Sequence, residues 1–363
     1  MRLADFKVEQ WMDDYEMQAK YNLTDTCAMP LSLKELLSYE NLDMDMVLDY
    51  GMITGSDEVK KGILSFYESG DFENITTCHG CLEANTLVMD TLLESGDHVI
   101  TFEPGYQQFM DMPKSIGCEL TLLPLHKPNW QPNIEEVKKA VQSNTKMIII
   151  NNPNNPTGIE FNSSFIRDLI DLCRKKGIYI LSDEAYRGFT NQQSMSDLYE
   201  LGISTSSLSK VCSLAALRYG WIKANKDIIH QINVRRDYVM ISTGPLLDAL
   251  ASIALKHKDE IIDKNKQCIE ANKKVIQDWL ERNPEFHLAI PEATTVSFLQ
   301  YDFNVPSEKF AKDCLNQTGV FFVPGSCFGF ENYLRLGLGR DTDTMKQGLE
   351  ILSDWCEIYL KRI

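Results

Sequence analysis

From about Glu73 to Ile222, short apolar runs alternate with amphipathic stretches. His98-Val99-Ile100-Thr101-Phe102, Lys146-Met147-Ile148-Ile149-Ile150 and Ile178-Tyr179-Ile180-Leu181 are too short for helices and predict strands. Between them, Ser163 to Lys176 puts Phe165, Leu169, Ile170 and Leu172 on one helical face. Strand and helix in alternation predict an α/β fold, a three-layer large domain with a mostly parallel sheet covered on both sides. The first forty-odd residues give no sheet signal and read as an arm with short helices. Beyond Asp227 the pattern is helical to about Leu280, with a break near Thr243-Gly244-Pro245. Val296-Ser297-Phe298-Leu299 and Tyr333-Leu334-Arg335-Leu336 then return as strand candidates of a smaller α+β domain. The expected organisation is an arm over residues 1–44 that contributes to the small domain, a large domain over 45–245, and a linking helix with the small C-terminal domain over 246–363. Ligands of open α/β sheets lie beyond the carboxyl ends of the strands, so chemistry is expected just after the apolar runs.

Composition narrows the function. The chain has 363 residues, enough for two or three cores, and its 44% hydrophobic and 24% charged content suits a globular protein. A net charge of −16 with no Lys/Arg block argues against nucleic acid or an anionic membrane as partner. No stretch approaches a membrane span, and the opening MRLADFKVEQWM lacks the apolar run of a secretory leader. The ten cysteines are therefore expected to stay reduced, in a cytoplasmic protein. Cys78 and Cys81 form a C-x-x-C pair, but no second pair or histidine set completes a zinc site, so no metal is expected.

Four segments carry candidate chemistry. In STSSLSKVCSLAALRYGW, residues 204–221, Lys210 has Ser207 before it and Arg218 after it. Alone, such a lysine is usually a solvated surface residue. To form an imine it must sit in a pocket where its amine is often neutral, with Ser207 and Arg218 suited to a dianionic phosphate. Leu181-Ser182-Asp183-Glu184-Ala185-Tyr186 ends a strand in an acid, which alone equally suggests a helix cap. Asn151 to Gly158, NNPNNPTG, reads plainly as a turn-rich loop. Thr77 to Ala84 opens a helix whose free amides suit a phosphate, with Gly80 allowing close approach.

As an ordered set these segments resemble the fold-type-I pyridoxal-phosphate enzymes of the class I/II aminotransferase family over most of the chain. The resemblance implies pyridoxal 5′-phosphate bound through Lys210, with Asp183 against the ring nitrogen, which it keeps protonated so that the ring acts as an electron sink. It assigns Asn155 and Tyr186 to the ring's phenolic oxygen. Ser207, Arg218 and the amides of Gly80, Cys81 and Leu82 go to the phosphate. Tyr106, in Pro104-Gly105-Tyr106, stacks on the ring. Tyr50, in DYGMITG, reaches the phosphate of a neighbouring subunit, which implies a homodimer. Arg335, in YLRLGLG, grips the substrate α-carboxylate, with Asn155 also near the substrate. The implied reaction moves an amino group between an amino acid and a 2-oxo acid in ping-pong fashion.

Two features depart from the family. Ala216 replaces a glycine common before the phosphate arginine, and Ala28-Met29-Pro30 lacks the glycine whose backbone meets substrate. VEQWMDDYEMQAKYN and TTCHGCLEAN are also similar to capreomycidine synthase, which cyclises an arginine derivative, so a cyclase or β-elimination lyase on the same cofactor stays open. A cofactor-binding sensor domain would need a DNA-binding module ahead of the match, and a nucleotide oxidoreductase a G-x-G-x-x-G after an early strand. Cys81, at a helix start, is expected either as a slightly activated thiol or as a small packing residue.

Overall fold

The computed structural model describes residues 3–292 and 294–361. In chain order the strands are β1 (Tyr21–Asn22), β2 (Ile75–Cys78), β3 (His98–Glu103), β4 (Glu119–Pro124), β5 (Thr145–Asn151), β6 (Tyr179–Asp183), β7 (Gly202–Ser207), β8 (Gly220–Lys223), β9 (Phe286–His287), β10 (Val296–Tyr301), β11 (Val320–Phe321), β12 (Val323–Pro324) and β13 (Tyr333–Gly337). The fold is α/β. Its central seven-stranded sheet has the order β2-β8-β7-β6-β5-β3-β4. From β4 across to β7 neighbours run parallel, while β8 is antiparallel to both β7 and β2.

Alternation along β5 shows why the apolar run is continuous. Ile148 and Ile150 pack with Phe165 and Leu169 of the helix Ser163–Lys176, on one side of the sheet. Met147 and Ile149 pack with Leu87 and Val88 of the helix Gly80–Leu92, on the other. A strand with helices on both faces has no side left for polar residues. The helix Ser163–Lys176 buries Phe165, Ile166, Leu169, Ile170 and Cys173, so the expected face holds except that Leu172 stays half-buried. Gly177 ends it in the left-handed region at φ 67°, after three basic residues that favour the negative end of the helix dipole.

β7 has no apolar run, yet all six of its residues are buried. Its hydroxyls are satisfied from within: Thr205 donates to Asn85 at 2.6 Å, Ser204 to the Glu184 carboxylate at 3.0 Å, and Ser206 to the Glu184 carbonyl at 2.9 Å. β6 and β7 lie side by side, so Asp183 at the end of one and Ser207 at the end of the other face the same crevice.

The N-terminal segment differs from a strandless arm. β1 pairs in parallel with β11, and the Trp11 indole donates to the Phe322 carbonyl at 2.9 Å. A second sheet, β12-β13-β10-β9, is antiparallel throughout. The helical stretch divides into Lys226–Arg236, Pro245–Lys256 and Lys258–Arg282, with a wider break than expected and Pro245 in the first turn of the middle helix. Two glycines beyond Arg335 set how closely the N-terminal segment approaches. A Cβ at Gly337 would collide with the Asp25 backbone, and one at Gly339 would lie 2.6 Å from the Cys27 carbonyl. With both positions bare, residues 25–28 lie flat against the end of β13.

Candidate active site

A cavity of about 400 Å³ opens at the carboxyl ends of β5, β6 and β7. This is the crevice an open α/β sheet offers where its strand order turns back, here between β3 and β5. Of the residues expected at a site, the structure brings Lys210, Asp183, Tyr186, Asn155, Ser207, Arg218, Tyr106, Cys81, Leu82 and Arg335 to its lining. Gly80 sits directly behind Arg218, and Tyr50 stands apart, 64% exposed on a loop.

Asp183 is buried and accepts from the Asn85 side chain at 2.8 Å and from the Ala185 amide at 3.0 Å. Burial pushes its carboxyl above the ordinary range, and these two donors offset part of that rise. Tyr186 is buried beside it, its hydroxyl pushed up to about 12 by burial with the Lys210 cation pulling the other way. It therefore stays a phenol and a donor at neutral pH.

Burial pulls the Lys210 pKa down, but the neighbouring Cys27, Tyr186 and Asp25 side chains oppose that effect and the net shift is upward. That direction favours the ammonium form, contrary to the expectation of a pocket in which the amine is often neutral. Lys210 Nζ donates to the Thr26 hydroxyl at 2.6 Å and lies 3.5 Å from the Cys27 sulfur. The expected activated thiol at Cys81 is not found. Burial, and then the nearby Asp183 charge, push that thiol well above its usual value.

The residues present fit pyridoxal phosphate on two counts. The Asn155 side chain has no hydrogen-bond partner among the described residues, its oxygen is fully buried, and it lines the cavity. A polar group so placed is satisfied by a ligand. The second count is the cup at the start of the helix Gly80–Leu92, which has no side-chain cap on its first amides. Gly80 has φ 79°, and a Cβ there would lie 2.7 Å from an Arg218 guanidinium nitrogen. A Cβ on Gly220 would lie 2.5 Å from the Gly80 carbonyl carbon. Both positions must be bare for the guanidinium to reach the helix start.

Arg335 is 5% exposed and close to the Thr24 hydroxyl, at 3.3 Å, with no ion pair among the described residues. Burial lowers its pKa, yet a guanidinium remains charged. A buried cation without an anion is a binding site for one.

Among the lining residues that sequence reasoning missed are Asn85, Glu9, Asp25 and Thr26. Asn85 is the most central, because it joins Asp183 to Thr205. Its signal was a lone amide inside an apolar helix, a position asparagine disfavours unless bonded. Glu9, Asp25 and Thr26 arrive from the N-terminal segment and have no local signature.

The model of the family described as aminotransferase class I and II matches residues 19–352. Capreomycidine synthase of Streptomyces vinaceus is 24% identical over 361 residues, covering 96% of this chain and 92% of that protein. An aspartate aminotransferase of Pyrococcus horikoshii is 24% identical over 311 residues, covering 81% and 80%. Among solved structures, a PLP-dependent aminotransferase from Streptococcus suis has a TM-score of 0.94 at 36% identity and covers 98% of each chain. The PLP-dependent cyclase OrfR has a TM-score of 0.91 at 23% identity, covering 99% of this chain and 98% of its own, a likeness of fold.

Proposed function

The chain belongs to the class I and II aminotransferase family, and from that premise we propose how its own residues carry out amino transfer on pyridoxal phosphate. It moves an amino group between an α-amino acid and a 2-oxo acid in two half-reactions that share one site. When bound, the cofactor supplies a protonated ring that spreads the negative charge left as the substrate Cα loses its proton. Asp183 holds the ring nitrogen, and Asn85 holds Asp183. Tyr186 and Asn155 donate to the phenolic oxygen, and Tyr106 covers one face of the ring. Ser207, Arg218 and the amides of Gly80, Cys81 and Leu82 receive the phosphate. Lys210 anchors the cofactor and, once released by the substrate amine, takes the proton from Cα at its Nζ. In each half-reaction Nζ carries the proton between the substrate Cα and the cofactor carbon that bears the amino nitrogen, in opposite directions for the amino acid and the oxo acid. Proton transfer of this kind contributes roughly 10²–10⁴-fold. Arg335 fixes the α-carboxylate, and Val8 and Met12 of the N-terminal helix close the cavity towards water.

The exposed Tyr50 supports a homodimer in which this hydroxyl completes the partner's phosphate site. All ten cysteines are free thiols, which supports a place in the cytoplasm. The reading is carried by one observation: Lys210 and Asp183 line a single cavity that also holds a buried amide oxygen with no hydrogen-bond partner and a buried guanidinium with no ion pair among the described residues. Borohydride reduction of the cofactor-loaded protein, followed by peptide mapping, should place the modification on Lys210. Mixing the holoenzyme with amino acids should then release oxo acids, whereas ammonia or a ring-closed product would make it a lyase or cyclase. An unmodified Lys210 would end the proposal.

A further inference from the structure

Once the groups above are assigned, the charges left in the cavity lining are two carboxylates. Glu9 comes from the helix Lys7–Tyr15, and Asp25 follows β1. Glu9 has no ion pair among the described residues; the Tyr106 hydroxyl donates to it at 3.4 Å. Asp25 accepts from the Cys27 amide at 2.9 Å and meets Arg340 at 3.3 Å. Val8 and Met12, one helical turn apart, add an apolar wall beside Glu9. Both carboxylates are near enough to act electrostatically on Arg335.

A substrate held by its α-carboxylate on Arg335 and its α-amine at Lys210 leaves only its side chain to meet these groups. We propose that the site selects amino acids whose side chain is an aliphatic stem ending in a cation. Glu9 meets the cation, Val8 and Met12 cover the stem, and Asp25 supplies negative field behind them. The converse selection is as informative. The lining cations are Lys210, Arg218 and Arg335, each already engaged in the proposed chemistry. A side-chain carboxylate would find no free partner and would face two like charges, which is discrimination by repulsion. Ammonium and guanidinium ends satisfy the same carboxylate, so lysine, ornithine and arginine are the probes.

Given that reading of the cavity, the holoenzyme is mixed with lysine, ornithine, arginine, alanine, aspartate and glutamate, and the half-saturating concentration for loss of the visible band is compared. The basic three should react at the lowest concentrations, and the two dicarboxylates at the highest. Glu9→Gln should raise the value for lysine roughly ten-fold relative to the value for alanine, the loss of one charge-assisted bond. Glu9→Lys should reverse the order of lysine and glutamate. Calorimetric titration with ε-aminocaproate, which keeps the carboxylate and the distal cation but has no α-amine, should show binding that glutarate does not. Preference for aspartate or alanine, or a lysine value unchanged relative to alanine in Glu9→Gln, overturns the inference while leaving the aminotransferase site intact. No band change with any amino acid overturns the site reading itself, and the selection with it.

Discussion

Asp183 is where burial and hydrogen bonding oppose each other most directly. Its carboxyl is raised, so the folded protein without cofactor holds the proton more tightly than the unfolded chain does. Stability from this group is therefore full at low pH and is lost as pH rises from the ordinary carboxylate range through the raised value. Thermal unfolding of the cofactor-free protein across that window should show the decline, and Asp183→Asn should flatten it. Matching slopes in the two proteins would count against the burial argument. A bound ring cation gives the carboxylate an opposite charge, so loading the cofactor should reverse the slope in the native sequence. Arg335 makes a second residue-scale prediction. Arg335→Lys keeps the charge but loses the planar fork, so KM should rise by roughly 10–100-fold, from about 1.5–3 kcal/mol for bonds to a charged group, with kcat nearly unchanged. Much of this was readable beforehand, because Lys210, Asp183, Asn155 and Arg335 sit in short ordered motifs whose spacing survives as geometry. Glu9 and Asp25 were not readable. Asp25 reaches the cavity because Gly337 and Gly339 leave room for residues 25–28, and Glu9 rides on a helix that Trp11 ties to the Phe322 carbonyl, each a contact between residues more than 300 positions apart.

At the level of elements, legibility followed hydrophobicity. β3, β5 and β6 announced themselves because both their faces are covered by helices. β7 did not, since its burial is balanced by hydroxyl bonds to Asn85 and Glu184 in place of apolar packing. The antiparallel direction of β8 was equally silent in sequence, being set by the loop after Lys210 that turns the chain back to Gly220. That return has a function, because it carries Arg218 to the start of the helix Gly80–Leu92, where only glycine leaves room. Gly80→Ala should therefore weaken pyridoxal phosphate binding by at least about ten-fold, since a left-handed backbone costs roughly 1–2 kcal/mol and the new Cβ displaces Arg218. Gly96→Ala is the control. Gly96 has φ 93°, but nothing lies within 4 Å of its Cβ position, so the variant should lose stability and keep its cofactor affinity. Spectral titration separates the two, and an equal loss of affinity in both would mean that backbone strain alone is at work.

For the whole molecule, the question is what covers an exposed apolar region built from two neighbouring loops. Val47, Leu48, Tyr50, Met52 and Ile53 are exposed on one loop, Tyr238, Val239 and Ile241 on another, and Leu246 in the first turn of the helix that follows it. The two loops are neighbours. Arg236, fully buried, donates to the carbonyls of Ile53, Ile241 and Thr77, and the Gly51 Cβ position lies 3.3 Å from the Pro245 ring. Thr77 lies three residues before Gly80, so the guanidinium that ties the loops together also ties them to the start of the helix Gly80–Leu92. An apolar face of this kind is expected to be buried against a partner, and a two-fold axis lets one surface serve both copies. Self-association must overcome the repulsion between chains of net charge −16, which is easier where the contact itself is uncharged. The protein should therefore sediment as a dimer, and Leu48→Glu with Tyr238→Glu should give monomers that retain cofactor poorly. Tyr50→Phe separates the two effects: it leaves the apolar face intact and removes only a hydroxyl. Its dimer should persist while cofactor dissociation quickens, because the variant would lose the proposed bond from Tyr50 to the partner's phosphate. A monomeric native protein, or a Tyr50→Phe dimer with unchanged cofactor retention, would show that each cavity is complete within its own chain.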